Sequence, residues 1–387
     1  LVHPRLRTAL LPRELLNKRG AEVTARIGHP IVPRVWSRIE SDAVLSRYLR
    51  MRTYLLQRRQ ERRRRAPASR APLPIMPAED RHRLLHEISS LPSDQLLVEG
   101  SGFRVFLAAR PQAPALLREI GRLRELTFRS VGEGTGLACD VDRFDRDYLH
   151  LALWHEESRE LAGAYRLGLT DRLLRDRGPA GLYSSTLFRL GPEFFARLGP
   201  AIEMGRSFIA EKHQRNFSSL MMLWKGIGAF VVRHPHYRTL FGPVSISNRY
   251  SPVSRSLMIE WLERHCSSER FSPLAAPRRP VRVRTRDRRA ASRSASLIHD
   301  VSELSGAVAD IEYAHRGVPV LVREYLKLGG RFASFSVDPD FGDVVDGLVI
   351  VELPDTPRRT LDRYLGREGA AAFLAYQSGP CAAQPAT

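Results

Sequence analysis

Several short stretches of this chain carry the residue types from which a reactive site is made. In Ile202-Glu-Met-Gly-Arg-Ser-Phe, strand alternation turns Glu203 to one face and Ile202 and Met204 to the other. A carboxylate so placed is a candidate general base or a holder of an ammonium group. The plainer alternative is an ion pair with Arg206 or Arg166. Phe144-Asp-Arg-Asp-Tyr-Leu-His puts Asp145 and His150 ahead of a strand, where an acidic residue could meet a cationic substrate; His150 alone reads as structural. Ser218 and Ser219 open a helix, and either could cap it or meet a phosphate there. Asp338, Asp340, Asp343 and Asp346 could attract an amine but read better as a solvated turn. Val349 stands where an EF-hand loop needs its last carboxylate, which excludes that calcium site.

These residues need elements to position them. Period-two and continuous apolar runs predict strands at Phe103–Ala108, Leu149–Trp154, Leu161–Leu169, Ala201–Ala210, Thr239–Ser247, Arg331–Val337 and Gly347–Leu353. The polar turn His155-Glu-Glu-Ser-Arg-Glu joins the second and third as a hairpin. Helices are expected at Ser219–Val232, with Leu220, Leu223, Trp224, Ile227 and Val231 on one face, and at Ser251–Arg264, where Ser251 is the N-cap and Pro252 the first helical residue. Two more fall at Val318–Leu328 and near Thr360–Tyr376, and Trp224 with Met221 and Met222 reads as core. The order of elements implies an α+β fold with a mixed, mostly antiparallel sheet flanked by helices.

With 387 residues, 43% of them hydrophobic, the chain can bury a substantial core and is not a candidate for wholesale disorder. It contains no run of about 18 uncharged apolar residues, as a membrane span would need. The stretch Leu1–Leu11, broken by His3, Arg5 and Arg7, does not read as a signal peptide. Cys139, Cys266 and Cys381 are scattered and odd in number, against a disulfide framework or a zinc site, and point to a reducing, cytoplasmic setting. No metal is implied. The net charge of +19 comes largely from Arg58–Arg65 and Phe271–Arg293, both read as linkers. Such basic segments can meet an anionic membrane surface or simply be solvated; nucleic acid is not an expected partner. The expected organisation is a tail at 1–57, a basic linker at 58–79, a core at 80–270, an Arg-rich linker at 271–295, and a C-terminal lobe at 296–387 completing the core domain.

Three stretches point to one family. They are Ile202–Phe208 with Leu223-Trp-Lys-Gly-Ile, Leu240-Phe-Gly-Pro-Val-Ser-Ile-Ser-Asn, and Tyr325-Leu-Lys-Leu-Gly-Gly with Val337-Asp-Pro-Asp-Phe. Together with Gly163-Ala-Tyr-Arg-Leu and Tyr183-Ser, they resemble the ornithine-lipid N-acyltransferases, also called hemolysin-like, a branch of the GNAT fold. The resemblance covers roughly residues 95–376, and residues 11–31 resemble the closing segment of a glycerolipid O-acyltransferase domain. No histidine here has an aspartate five positions on, so the O-acyl site of that domain is absent from this chain.

The resemblance implies a GNAT-like sheet and transfer of an acyl group, or 3-hydroxyacyl group, from a thioester to the α-amine of ornithine or a similar amino acid. Glu203, Arg206, Ser207 and Tyr250 then become the catalytic candidates, with Tyr250 protonating the leaving thiol. Arg166, Asp145 and Tyr183 become candidates for holding the amino acid. Gln214, Arg215, Ser218, Ser219 and Asn248 would hold the donor's phosphopantetheine arm. The stretch Gln214–Ser219 lacks the glycines with which this fold wraps the coenzyme A pyrophosphate, which favours an acyl carrier protein as donor. Two other readings stand beside this one: an acyl-homoserine-lactone-synthase-like enzyme, and a non-catalytic basic module at a membrane surface.

Overall fold

The computed structural model describes residues 11–17, 20, 22, 25–39, 41–58, 72–283, 285–312 and 316–379. Ten strands occur among them: β1 (Leu96–Gly100), β2 (Phe103–Ala109), β3 (Leu149–His155), β4 (Glu160–Leu169), β5 (Phe188–Leu190), β6 (Ala201–Ile209), β7 (Thr239–Ile246), β8 (Ala275–Pro277), β9 (Arg331–Asp338) and β10 (Val344–Glu352). Eight of them make one sheet in the order β1-β2-β3-β4-β6-β7-β10-β9, and β5 and β8 form a separate ribbon. Every neighbouring pair is antiparallel except β6 and β7. The sheet matches the expected mixed, mostly antiparallel α+β architecture of the GNAT fold.

The one parallel pair is also the shortest ladder in the sheet. Ala201, Ile202 and Glu203 face Thr239, Leu240 and Phe241, and the register ends there although both strands continue. Beyond it the sheet splays into a β1–β6 half and a β7–β10–β9 half, leaving unpaired backbone N–H and C=O groups along both inner edges. Gly242 marks the fork: its φ is +152°, and a β-carbon there would collide with the Met204 carbonyl oxygen. Gly242→Ala is expected to cost about 2–3 kcal/mol, read from urea denaturation. An unchanged midpoint would mean that the fork relaxes freely.

One face of the sheet is sealed by apolar helices. Helix Phe217–Arg233 lays Leu223, Trp224, Ile227 and Val231 against Val105, Leu151, Tyr165 and Leu167. Each fully buried side chain of this size contributes roughly 1.5–3 kcal/mol. Helix Pro252–His265 joins the same core; Ser251 caps it by accepting from the Ser254 N–H at 3.1 Å, with Pro252 at the first turn. The expected last helix is two, Arg358–Leu365 and Arg367–Ser378, separated at Gly366, whose φ is +77°. On the other face, helix Pro114–Val131 packs on β4 and β6.

Two expectations about organisation meet a different arrangement. The Arg-rich segment 271–295, read as a linker, contains helix Thr285–Ala295, which packs along helix Pro252–His265 with Ala291 and Ala295 buried. Arg288, Arg289 and Arg293 lie outward, Arg288 reaching Glu260 at 2.9 Å, so a narrow alanine stripe hidden among charges was enough to dock it. Helix Asp42–Gln57, in the tail, packs on helix Val301–Ile311, with Tyr48, Met51 and Leu55 in the main core. Of the basic run Arg58–Arg65, only Arg58 lies among the described residues, paired with Asp287 at 3.3 Å; Cys381 also lies outside them. No helix of the described residues is long and apolar enough to cross a membrane.

Candidate active site

Glu203 leaves β6 on the face away from helix Phe217–Arg233 and is 1% exposed. It pairs with neither Arg206 nor Arg166. It accepts hydrogen bonds from the Tyr148 hydroxyl, the Ser184 N–H at 2.5 Å and the Tyr183 N–H at 3.1 Å. Oε2 accepts two of these bonds and Oε1 one. Glu203 thereby fixes the turn that carries Tyr183.

Beside it lies a buried group of arginines and aspartates. Asp142 caps the short turn Arg143–Arg146, accepting from Phe144 N–H at 2.8 Å and Asp145 N–H at 3.3 Å, while Asp145 accepts the Asp142 N–H at 2.8 Å. This reciprocal cap turns the carboxylates toward three guanidinium groups. Arg124, from helix Pro114–Val131, meets Asp145 at 2.7 Å, both side chains fully buried. Arg166 on β4 reaches Asp142 at 2.7 Å and Asp145 at 3.3 Å. Burial disfavours the Asp145 charge, but Arg124 and Arg166 outweigh it and hold the carboxyl well below the usual range. His150 lies opposite Arg166 in the β3–β4 register. Burial, then the Arg124 charge, pushes it down to about 4, and its ring contacts the Asp145 carbonyl at 3.1 Å.

Arg206 enters this group through a bulge. β6 shifts register against β4 between Ala164 and Arg166, and Arg206 takes the left-handed φ of +49°. Its guanidinium lies 4.3 Å from the Phe341 ring centroid and 5.1 Å from that of Tyr183. It faces Asp140 and Asp142 at 3.6 Å each, beyond hydrogen-bond reach. Several buried atoms here lack a hydrogen-bond partner: Arg166 Nε and Nη2, Arg206 Nε, Asp140 Oδ2 and Asp142 Oδ2. Buried donors and acceptors left without hydrogen-bond partners are costly.

Across the fork, Tyr183 donates from its hydroxyl to Asp338 at 2.6 Å. Asp346 on β10 accepts from Ser245 on β7 at 2.8 Å. The expected solvated turn is thus only half solvated: Asp340 and Asp343 are exposed, but Asp338 and Asp346 are 2% and 3% exposed. Their places at the end of β9 and within β10 turn them under the sheet.

The remaining candidates fall elsewhere. Past the bulge, Ser207 turns to the opposite face, on the side of Tyr165. Tyr250 sits in the core on that opposite face and donates to the Gly317 carbonyl at 2.7 Å; burial pushes its phenol up to about 12. Neither sits with Glu203 and Arg206. Asn216, rather than Ser218 or Ser219, caps helix Phe217–Arg233, taking the Ser218 N–H at 2.9 Å, while the Ser219 hydroxyl turns inward to the His213 carbonyl at 3.1 Å. Gln214 donates to the Ile209 carbonyl at 3.0 Å and Arg215 is exposed. Asn248 bridges the Gly342 carbonyl and the Arg255 guanidinium. No three histidine, cysteine or carboxylate side chains among the described residues group as metal ligands.

Sequence reading missed Arg124, Asp140, Asp142 and Tyr148. A signal was present: Cys139-Asp-Val-Asp-Arg-Phe-Asp packs three carboxylates into six positions just before a strand. Nothing local showed that arginines 16 to 66 residues away would meet them.

The acetyltransferase (GNAT) domain family matches residues 123–225, which span helix Pro114–Val131 to the first half of helix Phe217–Arg233. Glycine N(alpha)-acyltransferase of Bacteroides thetaiotaomicron is 29% identical over 270 residues, 66% of this chain and 79% of that protein. The protein of the same name in Phocaeicola vulgatus is 28% identical over 64% of this chain and 79% of its own length. L-ornithine N(alpha)-acyltransferase of Agrobacterium fabrum is 22% identical over 63% of this chain and 78% of its own length. A solved structure of BjaI, a CoA-dependent acyl-homoserine lactone synthase, aligns with 69% of this chain and 90% of its own at 14% identity and a TM-score of 0.31.

Proposed function

We propose that this chain, a GNAT-fold amide-forming N-acyltransferase, moves a fatty acyl group from a phosphopantetheine thioester to the α-amine of glycine, ornithine or a similar amino acid. The product is an N-acyl amino acid, a single-chain lipid for membrane lipid synthesis. The observation that carries the reading is the buried cluster of arginines and aspartates beside the fork, several of whose polar atoms lack a hydrogen-bond partner. Arg166 and Arg206 offer free N–H groups to a carboxylate; Asp140 and Asp142 offer free oxygens to an ammonium. That is the charge pattern of a small zwitterion. The unpaired edges of β6 and β7 give the extended arm of a donor a place to lie against backbone amides, which can also meet the developing oxyanion. Glu203 acts by positioning Tyr183.

The donor is an acyl carrier protein in preference to coenzyme A. Around the helix N-terminus at Phe217, Asn216 takes the Ser218 and Ser219 N–H groups and Arg215 is the exposed cation, suited to one phosphate rather than a pyrophosphate with adenosine. A chain of net charge +19 also meets an acidic carrier favourably, and an anionic membrane on the cytoplasmic side is a fitting place to release the product.

The test is acylation of a panel of amino acids by purified protein, using matched acyl chains on carrier protein and on coenzyme A, with amides read by mass spectrometry. The expected outcome is an N-acyl amino acid and a higher kcat/KM with the carrier, the difference shrinking as salt rises. No amide from any amino acid with either donor would overturn the enzymatic assignment. Equal use of acyl-coenzyme A at low salt would overturn the carrier preference.

A further inference from the structure

An amino acid reaches the cluster as an ammonium, which cannot attack a thioester until it has lost a proton. Glu203, the obvious carboxylate on the strand, accepts hydrogen bonds at both oxygens, from Tyr148, Tyr183 and Ser184. Asp145 is committed to Arg124 and Arg166. Asp140 and Asp142 each face Arg206 at 3.6 Å.

Further buried carboxylates lie beyond these: Asp346, Asp338 and Glu133. Resting on the amino-acid acyl-transfer reading above, we propose that Asp346, with Asp338 beside it, is the base that takes the proton from the substrate ammonium. Three independent features place it there. Asp346 receives one hydrogen bond, from Ser245 to Oδ1, and among the described residues no donor reaches Oδ2. Its strand, β10, pairs with β7, one lip of the fork, so it lies on the donor's side of the cluster. Tyr183 ties the two parts together: its hydroxyl holds Asp338, and its ring lies 5.1 Å from the Arg206 guanidinium and 5.3 Å from that of Arg166. Arg206, whose side chain is 9% exposed, keeps Nε without a partner beside that ring and beside Phe341, three residues beyond Asp338.

The environment suits the task. Burial, then the neighbouring Asp338 charge, pushes Asp346 up to about 8; Glu133 adds to the rise, and Ser245 and Arg206 oppose it. The Tyr183 phenol, itself pushed up by burial, stays protonated and acts as a donor to Asp338. A carboxyl titrating near 8 takes a proton from an ammonium at much lower cost than an ordinary carboxylate near 4. In the step, an N–H bond breaks and an O–H bond forms on Asp346. The amine nitrogen then bonds to the thioester carbon, and the C–S bond breaks as the thiolate leaves. The second proton of the former ammonium passes to that sulfur, and Asp346 returns its own proton to solvent.

The experiment compares wild type, Asp346→Asn and Ser245→Ala, checked for folding by thermal melts, across pH 6 to about 9.5. For wild type, kcat/KM is expected to climb as pH rises through the Asp346 transition near 8. Asp346→Asn should lose roughly 10²-fold with an amino-acid acceptor and lose that limb of the profile. With hydroxylamine, a nucleophile already uncharged at neutral pH, most of the rate should return. Ser245→Ala removes the hydrogen bond that lowers the Asp346 transition, so its profile should move to higher pH with the plateau kept. A wild-type limb surviving in Asp346→Asn, or no rescue by hydroxylamine, overturns this assignment while leaving the acyltransferase reading standing. A wild type inactive toward every amino acid overturns both.

Discussion

Arg206→Ala is expected to lower kcat/KM for acyl transfer by on the order of 10³-fold while the protein still folds. Arg206 carries free guanidinium N–H capacity into the cluster and faces two carboxylates that it does not touch. On the proposed reading, removing it withdraws a donor from the substrate carboxylate; it also leaves Asp140, already pushed up by burial, without its nearest cation. Truncating one partner of a buried charge pair in a binding site costs about 2–5 kcal/mol, or roughly 30- to several-thousand-fold. Arg206→Lys keeps the charge but loses the planar fork, and should fall between alanine and wild type. The loss should appear in both KM for the amino acid and kcat, and the melting temperature should fall as well, because Asp140 stays buried without its cation. A variant within about threefold of wild type would remove Arg206 from the site, since that is under 1 kcal/mol.

The second large effect concerns the fold. Arg52 on helix Asp42–Gln57 donates from Nε to Asp310 at 2.6 Å, with side-chain exposures of 7% and 1%. Its other nitrogens reach the Tyr48 hydroxyl and the His29 carbonyl, both at 3.1 Å, and Asp310 also takes the His29 N–H at 2.5 Å. Arg52→Met should destabilise the protein by about 3–5 kcal/mol, because the Asp310 charge remains buried without its cation. Replacing both residues together by apolar ones should recover most of that loss. Urea denaturation reads the difference. A loss under about 1 kcal/mol would show that the pair contributes no more than a surface ion pair. Because the pair joins residues 258 apart in sequence, its loss should also expose helix Asp42–Gln57 to proteolysis before the sheet unfolds.

The chain's order of strands and helices was legible because its signals are local. Leu149–Leu169 alternates or runs apolar around a polar turn, and the structure has β3 and β4 there. Ser251-Pro252 announced a helix start that hydrogen bonding realises. The Arg-rich 271–295 segment was illegible for the converse reason: Ala291 and Ala295 add little to an apolar pattern, and the helix they form is held by its neighbour. At the Phe217 helix, Asn216, Ser218 and Ser219 are all competent caps, and choosing among them depends on where the chain arrives.

The sequence by itself determined which residues were available for chemistry: Glu203, Arg206, Arg166, Tyr183 and Asp145 are all within or beside the buried cluster. Only the tertiary structure decided what each one faces. Strict alternation would put Arg206 on the Ile202 and Met204 face, in the apolar core; the bulge at φ +49° returns it to the face of Glu203 and sends Ser207 away. The same packing fills Glu203 with turn amides and buries Asp338 and Asp346 at the fork. Period and propensity act over a few residues, whereas the desolvation and charge pairing that assign these roles act between strands far apart in the chain.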